Sequence, residues 1–199
     1  MAALSMNSRM TKARRSARPA LAEPRVRRAY FDCRYGQLHV RCAIPAGGGF
    51  DEATTLLCVP GSPGSGRFFQ PLLPPLGRDR SVYAPDLPGC GESDPIPPPA
   101  TNSEMATALA DFLDSMHLQT IDVLAHEEGV AVALELLQQR PNRVGRVVLS
   151  PNSDAVRSDA RSLRHPVLVI DLRAAESTSR DPNELERQAS ELRDFLGLA

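Results

Sequence analysis

The sequence predicts an α/β domain organised around a mostly parallel, doubly wound sheet. Three observations predict it. From residue 29 onward, apolar runs of strand length alternate with segments of helical period. The later strand-like runs are continuously apolar rather than alternating, as expected of strands covered on both faces. The chain's 199 residues, 42% hydrophobic and 24% charged, suffice for one core and are short for two.

The elements follow in order. "AYFDCRY" and "QLHVRCAI" alternate in polarity and meet at Tyr35-Gly36, which reads as a β-hairpin. "TTLLCVP" is a short apolar strand that runs into the glycine-rich loop "GSPGSG". Phe68, Phe69, Leu72, Leu73 and Leu76 share one helical face, but Pro71, Pro74 and Pro75 predict a short or broken helix. "RSVYAPDL" is the next strand, and "PGCGESDPIPPP" after it is a stiff loop. Residues 103–116 carry an apolar face behind a Ser-x-x start and read as a helix. "TIDVLA" is a strand and "EGVAVALELLQQR" a helix stopped by Pro141. "VGRVVLS" and "HPVLVID" are two further strands, and "PNELERQASELRDFLGL" is a closing helix with Pro182 in its first turn.

Charge and cysteine usage narrow the function classes. A net charge of −1 gives no global reason to expect nucleic acid, and no run of about 18 apolar residues exists to span a membrane. Residues 1–28 hold eight basic residues against the single acid Glu23. Three readings fit this segment: a disordered or mis-started extension, a targeting segment, or a basic binding arm. The domain proper is expected over residues 29–199. Cys33, Cys42, Cys58 and Cys90 show no C-x-x-C pair, so free thiols in a reducing cytoplasm are expected and no cofactor is called for.

"LAHEEGVAVAL" (124–134) holds the chemistry in question. His126-Glu127-Glu128 opens like the zinc pattern H-E-x-x-H, but Val130 stands where the second histidine belongs, so no metal site is expected. The glycine-rich "GSPGSG" lacks the Lys-Ser/Thr of a phosphate-binding P-loop. Placed between a strand and a helix, the stretch instead reads as a sharp turn.

Four stretches, in order, resemble the α/β-hydrolase superfamily, in the branch of small esterases, haloalkane dehalogenases and epoxide hydrolases. "RYGQLHVR" (34–41) is similar to its opening hairpin and "VPGSPGSGRFF" (59–69) to its oxyanion-hole loop. "APDLPGCGESD" (84–94) is similar to the loop after the fourth strand. "IDVLAHEEGVAVALELLQQRPNRVGRVVL" (121–149) is similar to the nucleophile strand, elbow, helix and following strand. The resemblance implies an elbow at Ala125-His126-Glu127-Glu128-Gly129, with Glu127 at the nucleophile position. It also implies an oxyanion hole from the N–H groups of Ser62 and Glu128. Asp86, Glu92 and Asp94 would be loop acids that orient turns.

The departures shape the functional expectation. Glutamate is one methylene longer than the aspartate that relatives place at the elbow, and an ångström of misplacement already costs about a hundredfold in rate. Glu127 and Glu128 also read as first-turn acids favoured by the helix dipole. The family's acid position falls on Ala174 or Ala175, with Asp171 and Glu176 beside it, and no histidine follows His165. His165 precedes Pro166 at a strand start, at the far end of the sheet from the elbow. Fifteen residues stand where relatives insert a cap, and the eighth strand is expected to be missing. The expectation is a reduced, cap-less hydrolase core that has lost its chemistry, as a binding or scaffold subunit or a decayed paralogue, with room for a small-molecule ligand or substrate. The alternative is an atypical hydrolase of a small ester or epoxide that uses Glu127. An uncovered apolar edge at 167–170 would invite a homodimer.

Overall fold

The computed structural model describes residues 22–48, 54–61, 64–98, 100–153, 163–172 and 182–197. Seven strands form one sheet: β1 (Arg25–Cys33), β2 (Gly36–Ile44), β3 (Thr55–Val59), β4 (Val82–Pro85), β5 (Ile121–His126), β6 (Val144–Ser150) and β7 (Val167–Val169). Their order is β1-β2-β4-β3-β5-β6-β7. The hairpin β1–β2 and the β2–β4 pair are antiparallel, and every pairing from β4 across to β7 is parallel. The doubly wound sheet expected from the sequence is therefore present.

Period-two alternation divides the core into two layers. Leu57, Val59, Val123, Ala125, Val147 and Leu149 face α2 (Asn102–Ser115) and α3 (Gly129–Gln139). Leu56, Cys58, Leu124 and Val148 face the other way. There they meet a single 3-10 turn at Gly66–Phe69, the one-turn helix α1 (Leu73–Leu76) and α4 (Pro182–Phe195). The prolines of residues 71–75 do break the expected helix into these two short pieces. Helix α2 starts one residue earlier than expected. Thr101 accepts from the Glu104 N–H, and the Glu104 carboxylate accepts from the Thr101 N–H, a reciprocal capping box.

Two boundaries differ from the sequence reading. β1 begins at Arg25, so Arg25, Arg27 and Arg28 are strand residues and not part of a basic extension. Their exposed positions at the sheet edge explain why a run so rich in arginine can be a strand. The apolar run at 167–170 forms a strand only over Val167–Val169. The family's acid position at Ala174 or Ala175 and the neighbouring Glu176 lie outside the described residues, as does Ser62, whereas Asp171 lies within them, two residues past β7.

One buried ion pair ties the sheet to its last helix. Arg80 donates to Asp122 Oδ2 at 3.0 Å and to the Leu196 carbonyl at 3.1 Å, and the Arg146 N–H donates to Asp122 Oδ1 at 2.7 Å. Both side chains are only 1% exposed. Burial pulls the Arg80 pKa below its usual value, and the Asp122 carboxylate acts in the opposite direction. Removing one partner of such a pair leaves a buried charge, at a typical cost of about 3–5 kcal/mol. Asp122→Ala is therefore expected to lower the urea unfolding free energy by about that amount. A loss below about 1 kcal/mol would show that the pair is not closed as described.

Candidate active site

Sheet topology places the candidate site before any side chain is considered. The chain passes from β3 outward to β4 and then returns to lay β5 on the other side of β3. The loops leaving β3 and β5 therefore diverge at their carboxyl ends. In an open α/β sheet that crevice is where ligands bind. The "GSPGSG" loop follows β3, and the 125–129 turn follows β5.

The turn is strained in the way a nucleophile elbow requires. Glu127 has φ +46°, a left-handed conformation that costs a residue with a Cβ about 1–2 kcal/mol. Its N–H donates to the Ser150 carbonyl at 2.7 Å, which fixes the turn to the end of β6. Gly129 is required at the start of α3. A Cβ there would come within 2.3 Å of the Pro60 carbonyl oxygen and 2.6 Å of the Val59 carbonyl oxygen. Close approach between α3 and the β3 loop therefore excludes any larger residue. Ala125 is fully buried in β5.

Each predicted elbow residue can now be placed. His126 is the last residue of β5, not a helical residue, so a zinc pair at helical spacing is ruled out by backbone geometry. Its buried ring stacks on Phe68, with centroids 3.9 Å apart and planes 24° from parallel. Its Nδ1 lies 3.9 Å from Glu127 Oε2, within ion-pair range and beyond hydrogen-bond reach. The reading of Glu127 and Glu128 as first-turn acids is corrected. Helix α3 starts at Gly129, so both precede it, and Glu128 makes no side-chain cap. The Glu128 carboxylate instead accepts from Asn152 Nδ2 at 3.1 Å. It also reaches over the β3 loop, where a Cβ on Gly61 would meet Glu128 Oε2 at 2.8 Å and Glu127 Cβ at 3.3 Å.

Two features escaped the sequence reading. Phe68 and Asn152 both contact the elbow from distant parts of the chain, and nothing in their local sequence marks them. Glu92 is not a turn-orienting acid: its carboxylate approaches Arg28 at 3.6 Å and Arg41 at 3.3 Å and accepts from Tyr30. Asp86 and Asp94 do orient backbone. Fully buried Asp86 accepts from the Gly66 and Glu92 N–H groups and contacts His39 Nδ1 at 2.9 Å. Asp94 accepts from the Gln37 N–H at 2.8 Å. His165 lies just before β7, at the amino end of a strand parallel to β5, and so across the sheet from the elbow.

The profile of the alpha/beta hydrolase fold family matches residues 54–192, more than half of the chain, so the chain belongs to that family. Over 114 residues it is 35% identical to a protein of Yersinia enterocolitica (serotype O:8 / biotype 1B) provisionally named carbamate hydrolase RutD. That match covers 57% of this chain and 41% of the relative. A 2-hydroxy-6-oxononadienedioate/2-hydroxy-6-oxononatrienedioate hydrolase of Pseudomonas putida is 35% identical over 91 residues, covering 45% and 32%. Among solved structures, the naproxen esterase of Bacillus subtilis superposes with a TM-score of 0.56 at 25% identity, over 64% of this chain and 44% of that one. The epoxide hydrolase CorEH superposes with a TM-score of 0.57 at 16% identity, over 85% and 51%, and supports the fold alone. The chain spans less than half the length of the curated relatives it matches here. Among the described residues, no helix is long and apolar enough to cross a membrane.

The elbow generates a paired prediction. Glu127→Gly should relieve the left-handed strain and raise the unfolding free energy by about 1 kcal/mol. Gly129→Ala should force the β3 loop away and lower it by about 1–3 kcal/mol or more. Equilibrium urea unfolding measures both. Two shifts of the same sign would contradict the described turn.

Proposed function

We propose that this chain uses the α/β-hydrolase fold to bind a small molecule at the elbow rather than to hydrolyse one. The observation that carries the reading is the Glu128 carboxylate lying over Gly61, on the loop that this fold uses to receive a developing oxyanion. A negative charge forming about 4 Å from that carboxylate would be opposed by roughly 1 kcal/mol in bulk water and roughly 4 kcal/mol at a protein surface. That corresponds to about fivefold to a thousandfold in rate. Glu127, at the nucleophile position, adds a second acid to the same mouth and disfavours an anionic intermediate further. Neutral or cationic ligands suit this potential, and the stacked Phe68–His126 pair offers them an aromatic wall. The four cysteines, all free thiols, support a reducing, cytoplasmic setting for such a binder.

A second reading is favoured by one specific observation, the positive φ of Glu127. That strain presents the carboxylate as a hydrolase presents its nucleophile, so an atypical hydrolase of a small ester or epoxide is the alternative. With an epoxide, Glu127 would attack a ring carbon to form a glutamyl ester as the ring C–O bond breaks and the alkoxide takes a proton from water. With an ester, it would attack the acyl carbon to form a mixed anhydride and release the alcohol. Water would then cleave either intermediate and restore the carboxylate. A panel of short-chain aryl esters and epoxides separates the two readings, assayed beside Glu127→Ala and Glu127→Ser. The binding reading expects wild type to match buffer and neither variant to gain turnover. Turnover by wild type that Glu127→Ala abolishes would overturn it and establish the alternative.

A further inference from the structure

A cavity of about 580 Å³ lies away from the elbow, between the β1–β2 hairpin and the segment formed by the 3-10 turn and α1. Arg27, Arg28, Arg41 and Arg67 line it, with Glu92 as its one acidic residue. A chain whose net charge is −1 therefore gathers the guanidinium-bearing residues Arg28, Arg41 and Arg67 against a single carboxylate around one concave place. Arg27, the neighbour of Arg28 in β1, lines the rim from a position whose side chain leaves the opposite strand face. Arg28 and Arg41 are register partners on adjacent antiparallel strands, a position where like charges destabilise a sheet. Glu92 sits near both and offsets part of that repulsion. It does not reach the other two: among the described residues, neither Arg27 nor Arg67 has an ion-pair partner. The Nε of Arg41 is buried with no hydrogen-bond partner, although its side chain is only 13% exposed. A buried donor left unpaired costs about 1–3 kcal/mol.

We propose that this cavity binds a small oxyanion carrying two or more negative charges, a phosphate-bearing or polycarboxylate molecule, at a site separate from the elbow. Guanidinium forks match both oxyanion types in geometry and charge. The cavity volume suits a small molecule. Glu92 competes with the ligand for Arg28 and Arg41. Arg67 stands on the same turn as Phe68, so the turn that lines this cavity also supplies the aromatic wall of the elbow.

The test is isothermal titration of the full chain with pyrophosphate and with citrate, at constant ionic strength set by sodium chloride. Saturable binding of one or both at sub-millimolar concentration is expected, and the preferred ligand separates the phosphate source from the carboxylate source. The exposed pair Arg28→Gln/Arg67→Gln should weaken binding at least tenfold with an unchanged circular dichroism spectrum. Glu92→Gln should tighten it severalfold by removing the competing carboxylate. Tightening is a gain that misfolding cannot mimic. The proposal is overturned if neither anion saturates, or if the variants bind as wild type does. Binding confined to heparin or RNA would also overturn it, because that would make the arginines an extended polyanion surface.

Discussion

The close approach at Gly129 is the constraint on which the candidate site depends. Helix α3 starts so near the carbonyls of Val59 and Pro60 that no side chain fits between them. The chain must turn from β5 into α3 within two residues, and Glu127 adopts a left-handed conformation to do so. That one packing contact couples the ends of β3 and β5 where the strand order reverses. It also brings Gly61 under the two acids and leaves His126 facing Phe68. A fold that keeps such a turn retains the backbone of a hydrolase site independently of the side chains placed on it.

Electrostatics divide the molecule's concave surfaces. The carboxyl end of the parallel strands carries Glu127 and Glu128, which precede α3. The face beside the β1–β2 hairpin carries Arg28, Arg41 and Arg67. Both surfaces meet the turn at Gly66–Phe69, with Phe68 on one side and Arg67 on the other. Buried Asp86 anchors that turn through the Gly66 N–H and joins it to His39 of β2. A short, tightly held segment thus separates a negative mouth from a positive cavity.

Much of the fold was legible in the sequence because it rests on local periodicity. Leu56/Cys58 and Leu57/Val59 alternate to opposite faces, and α2 and α3 show their apolar stripes without reference to anything distant. The elbow was legible as a strand–turn–helix junction, and Gly129 marked it. The fate of its acids was not. Whether Glu128 caps a helix or reaches over Gly61 depends on Asn152 and on a loop some 65 residues earlier in the chain. Cross-strand neighbours were equally hidden. Arg28 and Arg41 become a pair only once the hairpin register is fixed, and Glu92 joins them from beyond β4. Composition places Arg25, Arg27 and Arg28 in a basic extension ahead of the domain, because a strand edge tolerates charge that an average strand does not.

The central claim is that the elbow's geometry persists while Glu127 does no covalent chemistry. A carboxylate that opens an epoxide acquires one solvent oxygen in the cycle, because water attacks the carbonyl of the glutamyl ester, and a mixed anhydride formed from an ester acquires one when water attacks its glutamyl carbonyl. Incubating excess protein with the ester and epoxide panel in ¹⁸O-labelled water, then measuring the mass of the peptide containing Glu127, tests this directly. The account predicts no ¹⁸O in the Glu127 side chain with any panel member. A two-dalton increase confined to Glu127 would contradict it and identify the residue as a working nucleophile.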